Sequence, residues 1–510
     1  MAAIDRPLEE WADLVVDPRS HTRQLTLPPA SAIKIYDTTL RDGEQMPGVA
    51  MSPRQKYRLA REISRLGCHI VDVSFPTVSP SEQELLRLLR EGLRRGELRR
   101  DLELLVMCRA SRHEVDATLG LLARAGFAPE EVTLLIFTSA SGLHIKYKLG
   151  ETLLRREGRD VRELVETPLE FFREANQRMI ADAIRYARER RVERVEFGAE
   201  DASRTPIDQL LDLVACAIQA GACRYIFADT TGCLTPEATI AYCRALVTAF
   251  PGIGLVSHFH DDFGLAVANT ITGVLHGFTT FATTLNGIGE RAGNAPLHTV
   301  VTALRYLYGL EIPGFRYDLL GPLRTTVERI TGVPVGVTEP VIGRNAFTHE
   351  SGIHAHGVAI FRSMYEAIPY AEVGGEARFV HGKHSGGSWV ADLLRLHREE
   401  IGREVDDAFV LAVLAEVKAL REGRISETAT AELIESYYGG LDGLGISTEE
   451  VLLVARALAD GRGREDRGGR EGSEGREDRE GCEDRGGRGG REDREDREDR
   501  EDREGCEDVA

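Results

Sequence analysis

The sequence predicts an α/β fold: a (β/α)8 TIM barrel followed by a small, mostly helical accessory region and a disordered charged tail. Three observations predict it. Eight short apolar, strand-like runs recur between Ile33 and Leu285. Most of them are followed by a stretch of 3.6-residue amphipathicity. Eight such units in about 280 residues is the count and length of a closed parallel barrel.

In chain order the runs are Ile33–Thr39, His69–Phe75, Glu103–Arg109, Glu131–Thr138, Arg191–Phe197, Arg224–Asp229, Gly254–His260 and Phe278–Leu285. Amphipathic segments follow at Pro53–Leu66, Ser81–Gly92 and Pro168–Arg190, and Ser52-Pro53 and Thr235-Pro236 are helix starts. An open doubly wound sheet is the competing fold. It calls for a glycine-rich turn after the first strand, where this chain has the charged LRDGEQMPG without GxGxxG.

Residues 1–30 read as a polar, Pro-punctuated lead-in with one short helix around Leu8–Val16. Residues 31–310 are the barrel. Residues 311–460 form the accessory region, loop-rich at first, then helical at Asp407–Arg421 and Thr428–Tyr438. The last fifty residues, 461–510, contain 20 acidic residues and 13 arginines and almost nothing apolar. They cannot offset the entropy of ordering, so disorder is expected, with contact to a partner or RNA as the alternative use.

The formal net charge of −19, from 83 acidic and 64 basic residues, argues against a duplex nucleic-acid binder. The 8 cysteines form no CxxC pair, so neither a structural zinc site nor a disulfide framework is indicated. The N-terminal segment reads as too polar and acidic for a signal peptide, so none is expected, and no apolar run approaches ~18 residues. A cytoplasmic protein without membrane contact is expected.

In such a barrel, chemistry sits at the C-terminal ends of the strands. Strand one runs into Arg41-Asp42-Gly43-Glu44-Gln45, strand five into Glu200-Asp201, strand seven ends in His258-Phe259-His260, and strand eight leads to Glu290 and Asn294. A spacing of two puts both imidazoles on one face of a strand, converging at the barrel mouth. With Asp42 from the adjoining first strand and Asn294 from the eighth loop, they form a donor set for a divalent ion with open positions. Manganese, magnesium, cobalt and zinc all suit it. Arg41 is a fixed fork of donors for a carboxylate or oxyanion, or else a rim ion pair with Glu44 or Glu200. Three histidines and a glutamate between His349 and His356 read as a loop brought over a site, with a second metal site or a hydrogen-bonded turn as alternatives. Gly382-Lys383-His384-Ser385-Gly386-Gly387 is a flexible basic loop suited to a phosphate.

The strings DTTLRDGEQMPG (37–48), EDASRT (200–205), HFHDDFGLAVANT (258–270), NGIGERAGN (286–294), HESGIHAHG (349–357) and GKHSGG (382–387) together resemble the 2-isopropylmalate synthase, homocitrate synthase and citramalate synthase family over residues 30–455. The resemblance implies metal-dependent condensation of acetyl-CoA with a 2-oxo acid, followed by thioester hydrolysis, in biosynthesis. It implies Asp42, His258, His260 and Asn294 as metal ligands, Arg41 on the 2-oxo acid, and Glu200 and Thr230 at the substrate end of the pocket. It places Glu290 near the reacting groups, His354 in proton transfer at the acetyl methyl, and Tyr365 beside it. It also implies a homodimer in which accessory segments reach the partner's barrel.

The chain departs from the family pattern at Ser74, which narrows the expected pocket floor. It departs again at the 138–146 stretch, where His144 and Lys146 either face the distal group of the 2-oxo acid or pair with neighbouring side chains. Where 2-isopropylmalate synthases commonly carry a folded leucine-binding domain, the charged 461–510 segment stands, so leucine feedback inhibition of that type is not expected. The acceptor therefore stays open between a branched 2-oxo acid and a more anionic one: oxaloacetate, 2-oxoglutarate or a phosphorus analogue. A 3-hydroxy-3-methylglutaryl-CoA lyase-like reaction is disfavoured because Gly293-Asn294-Ala295-Pro296 lacks that family's Cys. A non-enzymatic scaffold acting through its tail is the remaining alternative.

Overall fold

A computed structural model describes residues 17–22, 25–424, 427–442 and 444–459. The helix expected around Leu8–Val16 and the charged 461–510 segment lie outside the described residues. The chain divides into two units, 1–446 and 447–510.

The first unit is built on eight parallel strands, β1 Lys34–Asp37, β2 Ile70–Ser74, β3 Glu103–Arg109, β4 Thr133–Ser139, β5 Arg194–Glu200, β6 Arg224–Asp229, β7 Gly254–Phe259 and β8 Thr280–Thr283. They close in sequence order, with Lys34 to Asp37 of β1 in register with Thr280 to Thr283 of β8. The outer helices are α1 Pro53–Leu66, α2 Pro80–Arg95, α3 Arg112–Ala125, α4 Gly150–Arg156, α5 Leu169–Glu189, α6 Ile207–Ala220, α7 Pro236–Ala249, α8 Ala266–Leu275 and α9 Leu297–Tyr308. The Ser52 start is a full capping box with Gln55, and the Thr235 hydroxyl accepts from the Ala238 N–H. The expected fifth strand, Arg191–Phe197, is displaced three residues. Arg191 has φ +69 and closes the turn after α5, so the strand runs on and carries Glu200 at its end.

Strand alternation sends one set of side chains outward against the helices and the other into the barrel. At the bottom, Arg224 is held by Glu196 and by Glu103 (Nη2 to Oε1, 2.6 Å). Above it Tyr36, Ile70, Leu105, Leu135, Ile226, Val256 and Ala282 fill the interior. The functional groups stand on that packed plug rather than over a pore.

After the barrel come α10 Leu320–Thr331, a parallel pair β9 Thr348–His349 and β10 Arg378–Phe379, α11 Gly352–Ile360, α12 Gly387–Leu396, α13 Arg398–Ile401, α14 Asp407–Gly423 and α15 Glu427–Asp442. In the second unit, α16 spans Thr448–Ala459. None of the described helices is long and apolar enough to cross a membrane.

Candidate active site at the barrel mouth

The C-terminal rim encloses a cavity of about 360 Å³. Arg41, Asp42, Glu200, Thr230, His258, His260 and Glu290 all line it. Three of the described non-glycine residues with left-handed backbone, Asp201, Asn286 and Arg291, sit in loops around this rim. Such conformations persist where surrounding structure over-determines them, commonly at functional sites.

Asp42, His258 and His260 are all buried, and each offers one ligating atom within 4.8 Å of the others. The His258 and His260 rings lie 5.0 Å apart, and His258 Nε2 is 3.7 Å from Asp42 Oδ2. Asn294 is bridged to His260 through the backbone, and its Nδ2 donates to Asp42 Oδ2 at 2.6 Å. Asn294 Oδ1 and the Nδ1 atoms of both histidines are buried without a hydrogen-bond partner, and buried polar atoms are rarely left so. Burial pushes the His258 imidazole down to about 3, against the pull of Asp42. Burial alone would raise the Asp42 carboxyl, but Arg41 and the two imidazoles outweigh it and hold it at about 2. Neutral imidazoles beside an ionised carboxylate are the protonation states that ligate a cation, so this donor set fits a divalent ion.

Arg41 is braced from two sides, its Nε on Asp72 Oδ2 at 2.7 Å and its Nη1 on Asp42 Oδ1 at 2.8 Å. Thr230 Oγ1 accepts the Asp201 N–H at 2.8 Å, tying the ends of β5 and β6 together. Arg291 donates to the Thr230 carbonyl at 2.6 Å and pairs with Asp262.

Several expectations shift. Ser74 does not line the cavity: β2 is irregular between Asp72 and Ser74, and the serine hydroxyl lies beside Glu82. Lys146 points away, donating to the carbonyls of Val165 (2.9 Å) and Thr167 (3.0 Å). His144 sits behind the wall, 3.9 Å from Glu200 and 3.7 Å from Asp201. Residues His144–Lys148 form a π turn, and its last residue, Lys148, is the one that lines the cavity and pairs with Glu200. His354 and Tyr365 do not line the cavity either. They form their own partly exposed pair on the accessory region, rings stacked at 4.1 Å and 24°. The pair depends on Gly357, one turn on from His354, because a Cβ there would come within 2.5 Å of the Tyr365 ring. Sequence reasoning missed Asp72 as the anchor of Arg41; a carboxylate inside a run of apolar strand residues was its signal.

Apart from Gln45, the rest of the lining is apolar: Phe75, Met107, Leu135, Phe137, Ile226 and the small Gly198, Ala199 and Ala228. They come from β3 to β6 and from Phe75, just past the end of β2.

Residues 32–312 match the HMGL-like family model, and residues 341–424 match the homocitrate synthase post-HMGL domain-like model. A protein of Ignicoccus hospitalis named "Probable 2-isopropylmalate synthase" is 37% identical over 406 residues, covering 79% of this chain and 92% of its own. A homocitrate synthase of Methanopyrus kandleri is 36% identical over 424 residues, covering 82% and 95%. A 2-isopropylmalate synthase of Sulfurisphaera tokodaii is 37% identical over 390 residues, covering 76% and 91%. On a closed eight-stranded barrel with this rim and this order of domains, the chain belongs to the 2-isopropylmalate synthase, homocitrate synthase and citramalate synthase family of acyltransferases.

Proposed function

We propose that the chain condenses acetyl-CoA with a 2-oxo acid carrying a short apolar side chain, then hydrolyses the thioester to give a 2-hydroxy dicarboxylic acid and CoA. The observation that carries the choice of acceptor is the apolar lining beside the Asp42, His258 and His260 set. A dianionic acceptor needs a second free cation in the pocket. Each cationic side chain lining the cavity already holds a carboxylate: Arg41 with Asp72 and Asp42, Lys148 with Glu200, Arg291 with Asp262.

Asp42, His258 and His260, with Asn294 Oδ1, would hold the divalent ion. When bound, that ion supplies Lewis-acid polarisation of the ketone and a seat for the acceptor's carboxylate. Arg41 Nη2, without a hydrogen bond among the described residues, is left for the oxygen that gains charge as the carbon–carbon bond forms, and its two bracing carboxylates fix that donor before substrate arrives. Thr230 and Glu200 border the acceptor. Glu290, on the eighth-strand loop, stands near the reacting carbons. His354, steadied by Tyr365, takes a proton from the acetyl methyl, and the carbanion so formed attacks the ketone carbon. Water then cleaves the thioester, releasing the thiol of CoA.

The accessory His354–Tyr365 pair does not line its own chain's cavity, so the complete site is read as shared between two copies of this chain, with the pair of one copy over the barrel of the other. The test is release of CoA thiol from acetyl-CoA across a panel of 2-oxo acids. The reading predicts turnover with 2-oxoisovalerate or pyruvate well above that with 2-oxoglutarate or oxaloacetate. Preference for the dianionic acids would overturn the acceptor assignment, and no acceptor-dependent release at all would overturn the reaction.

A further inference from the structure

A second cavity, of about 480 Å³, lies in the accessory region between α10, the 341–347 loop and residues 374–378. None of the barrel-mouth residues lines it, and the proposed reaction uses none of its side chains. Three arginines, Arg324, Arg344 and Arg378, face it with a single acid, Glu376. Arg344 and Arg378 are exposed and make no ion pair among the described residues. Arg324 is half-buried. Its Nη1 donates to the Ile342 carbonyl at 2.8 Å, while its Nε is buried without a hydrogen bond, the nearest acid being Glu328 at 3.6 Å.

The wall is held in place. Val341 is buried with φ +67, a conformation that a β-branched side chain adopts only where its surroundings force it. Gly321 of α10 packs against the carbonyl of Gly374 so closely that a Cβ would approach to 2.1 Å. Arg378 is anchored on β10, its N–H donating to the Phe347 carbonyl at 3.0 Å. Three guanidinia around one cavity, two of them without an ion pair among the described residues and the third only 3.6 Å from Glu328, favour an anion between them, and their planar forks match phosphoryl oxygens. The volume falls within the ~300–1,000 Å³ range of small-molecule sites and exceeds what a single phosphate fills.

We propose that this cavity binds a phosphorylated small molecule, with its phosphoryl oxygens on Arg344 and Arg378 and Arg324 behind them. Two sources share that chemistry: a free phosphometabolite, or the phosphate end of the coenzyme thioester. The binding experiment stands whether or not the proposed reaction holds. Isothermal titration of the full chain with inorganic pyrophosphate and with adenosine 3′,5′-bisphosphate should give saturable binding at one site. Arg344→Gln/Arg378→Gln should weaken it at least about tenfold while leaving the thermal melt unchanged, and Arg344→Lys/Arg378→Lys should recover part of it. If neither probe binds, or the double variant binds both equally well, the proposal fails. The source follows from kinetics on the same double variant. A raised KM for acetyl-CoA with unchanged kcat assigns the site to the coenzyme. Loss of probe binding with an unchanged KM assigns it to a free phosphometabolite.

Discussion

The Arg41 guanidinium is clamped to the buried Asp72 carboxylate, Nε to Oδ2, at 2.7 Å. Asp72 does not line the barrel-mouth cavity, yet it fixes the Arg41 guanidinium that does and, through Arg41, the carboxylate of Asp42. Asp72→Asn keeps the shape and the Thr38 contact (3.2 Å) but loses the charge. The expected outcome is a fall of about 10–100-fold in kcat/KM, as for other partners that orient ligating groups, with the protein still folded by circular dichroism.

Lys56 braces the same loop from behind. Only 2% exposed, its Nζ lies 2.5 Å from both Glu44 and Glu82, and Glu44 also accepts the Met51 N–H at 2.8 Å. Lys56→Met strands two carboxylates around an apolar chain. Urea unfolding should show a loss of about 3–5 kcal/mol, the range for breaking a buried ion pair. Lys56→Met/Glu82→Gln should recover part of it.

Burial pushes the Asp37 carboxyl from 3.8 up to about 7, against the opposing Thr39 N–H bond. A carboxyl raised in the folded state contributes stability that is complete below its unfolded value and is lost as pH rises through the folded one. Asp37→Asn is neutral throughout and can keep the Thr39 bond. Its melting temperature should match wild type near pH 4, gain on it steadily up to about pH 7, and hold a constant lead above that. A lead that does not grow between those limits would contradict the assignment.

If His354 serves the barrel of a second copy, two dead chains can make one live site. His258→Ala and His354→Ala should each be inactive alone, and co-expression should restore turnover at one of the two sites in each mixed dimer. Mixtures as dead as their parents would place His354 outside the shared site.

Much of this was legible in the sequence because barrel strands are buried on both faces and helices on one, so the two periodicities separate cleanly. His258 and His260 could be paired on one face by strand parity alone. What stayed hidden depends on local backbone departures that parity does not foresee. The irregularity after Asp72 turns Ser74 toward Glu82. The π turn at His144–Lys148 brings Lys148, rather than His144 or Lys146, onto the cavity. That His354 does not line its own chain's cavity depends on packing across the whole accessory region, which no local pattern encodes.

The central claim is that the Asp42, His258 and His260 set holds a divalent ion needed to join an acyl carbanion to a keto acid. The direct measurement follows metal content and acceptor-dependent CoA release on one chelator-dialysed sample as manganese is added back. The account predicts that both rise together and saturate near one ion per chain, and that neither does so in His258→Ala/His260→Ala. Full acceptor-dependent release from metal-free protein, or ion binding unchanged in that double variant, would contradict it.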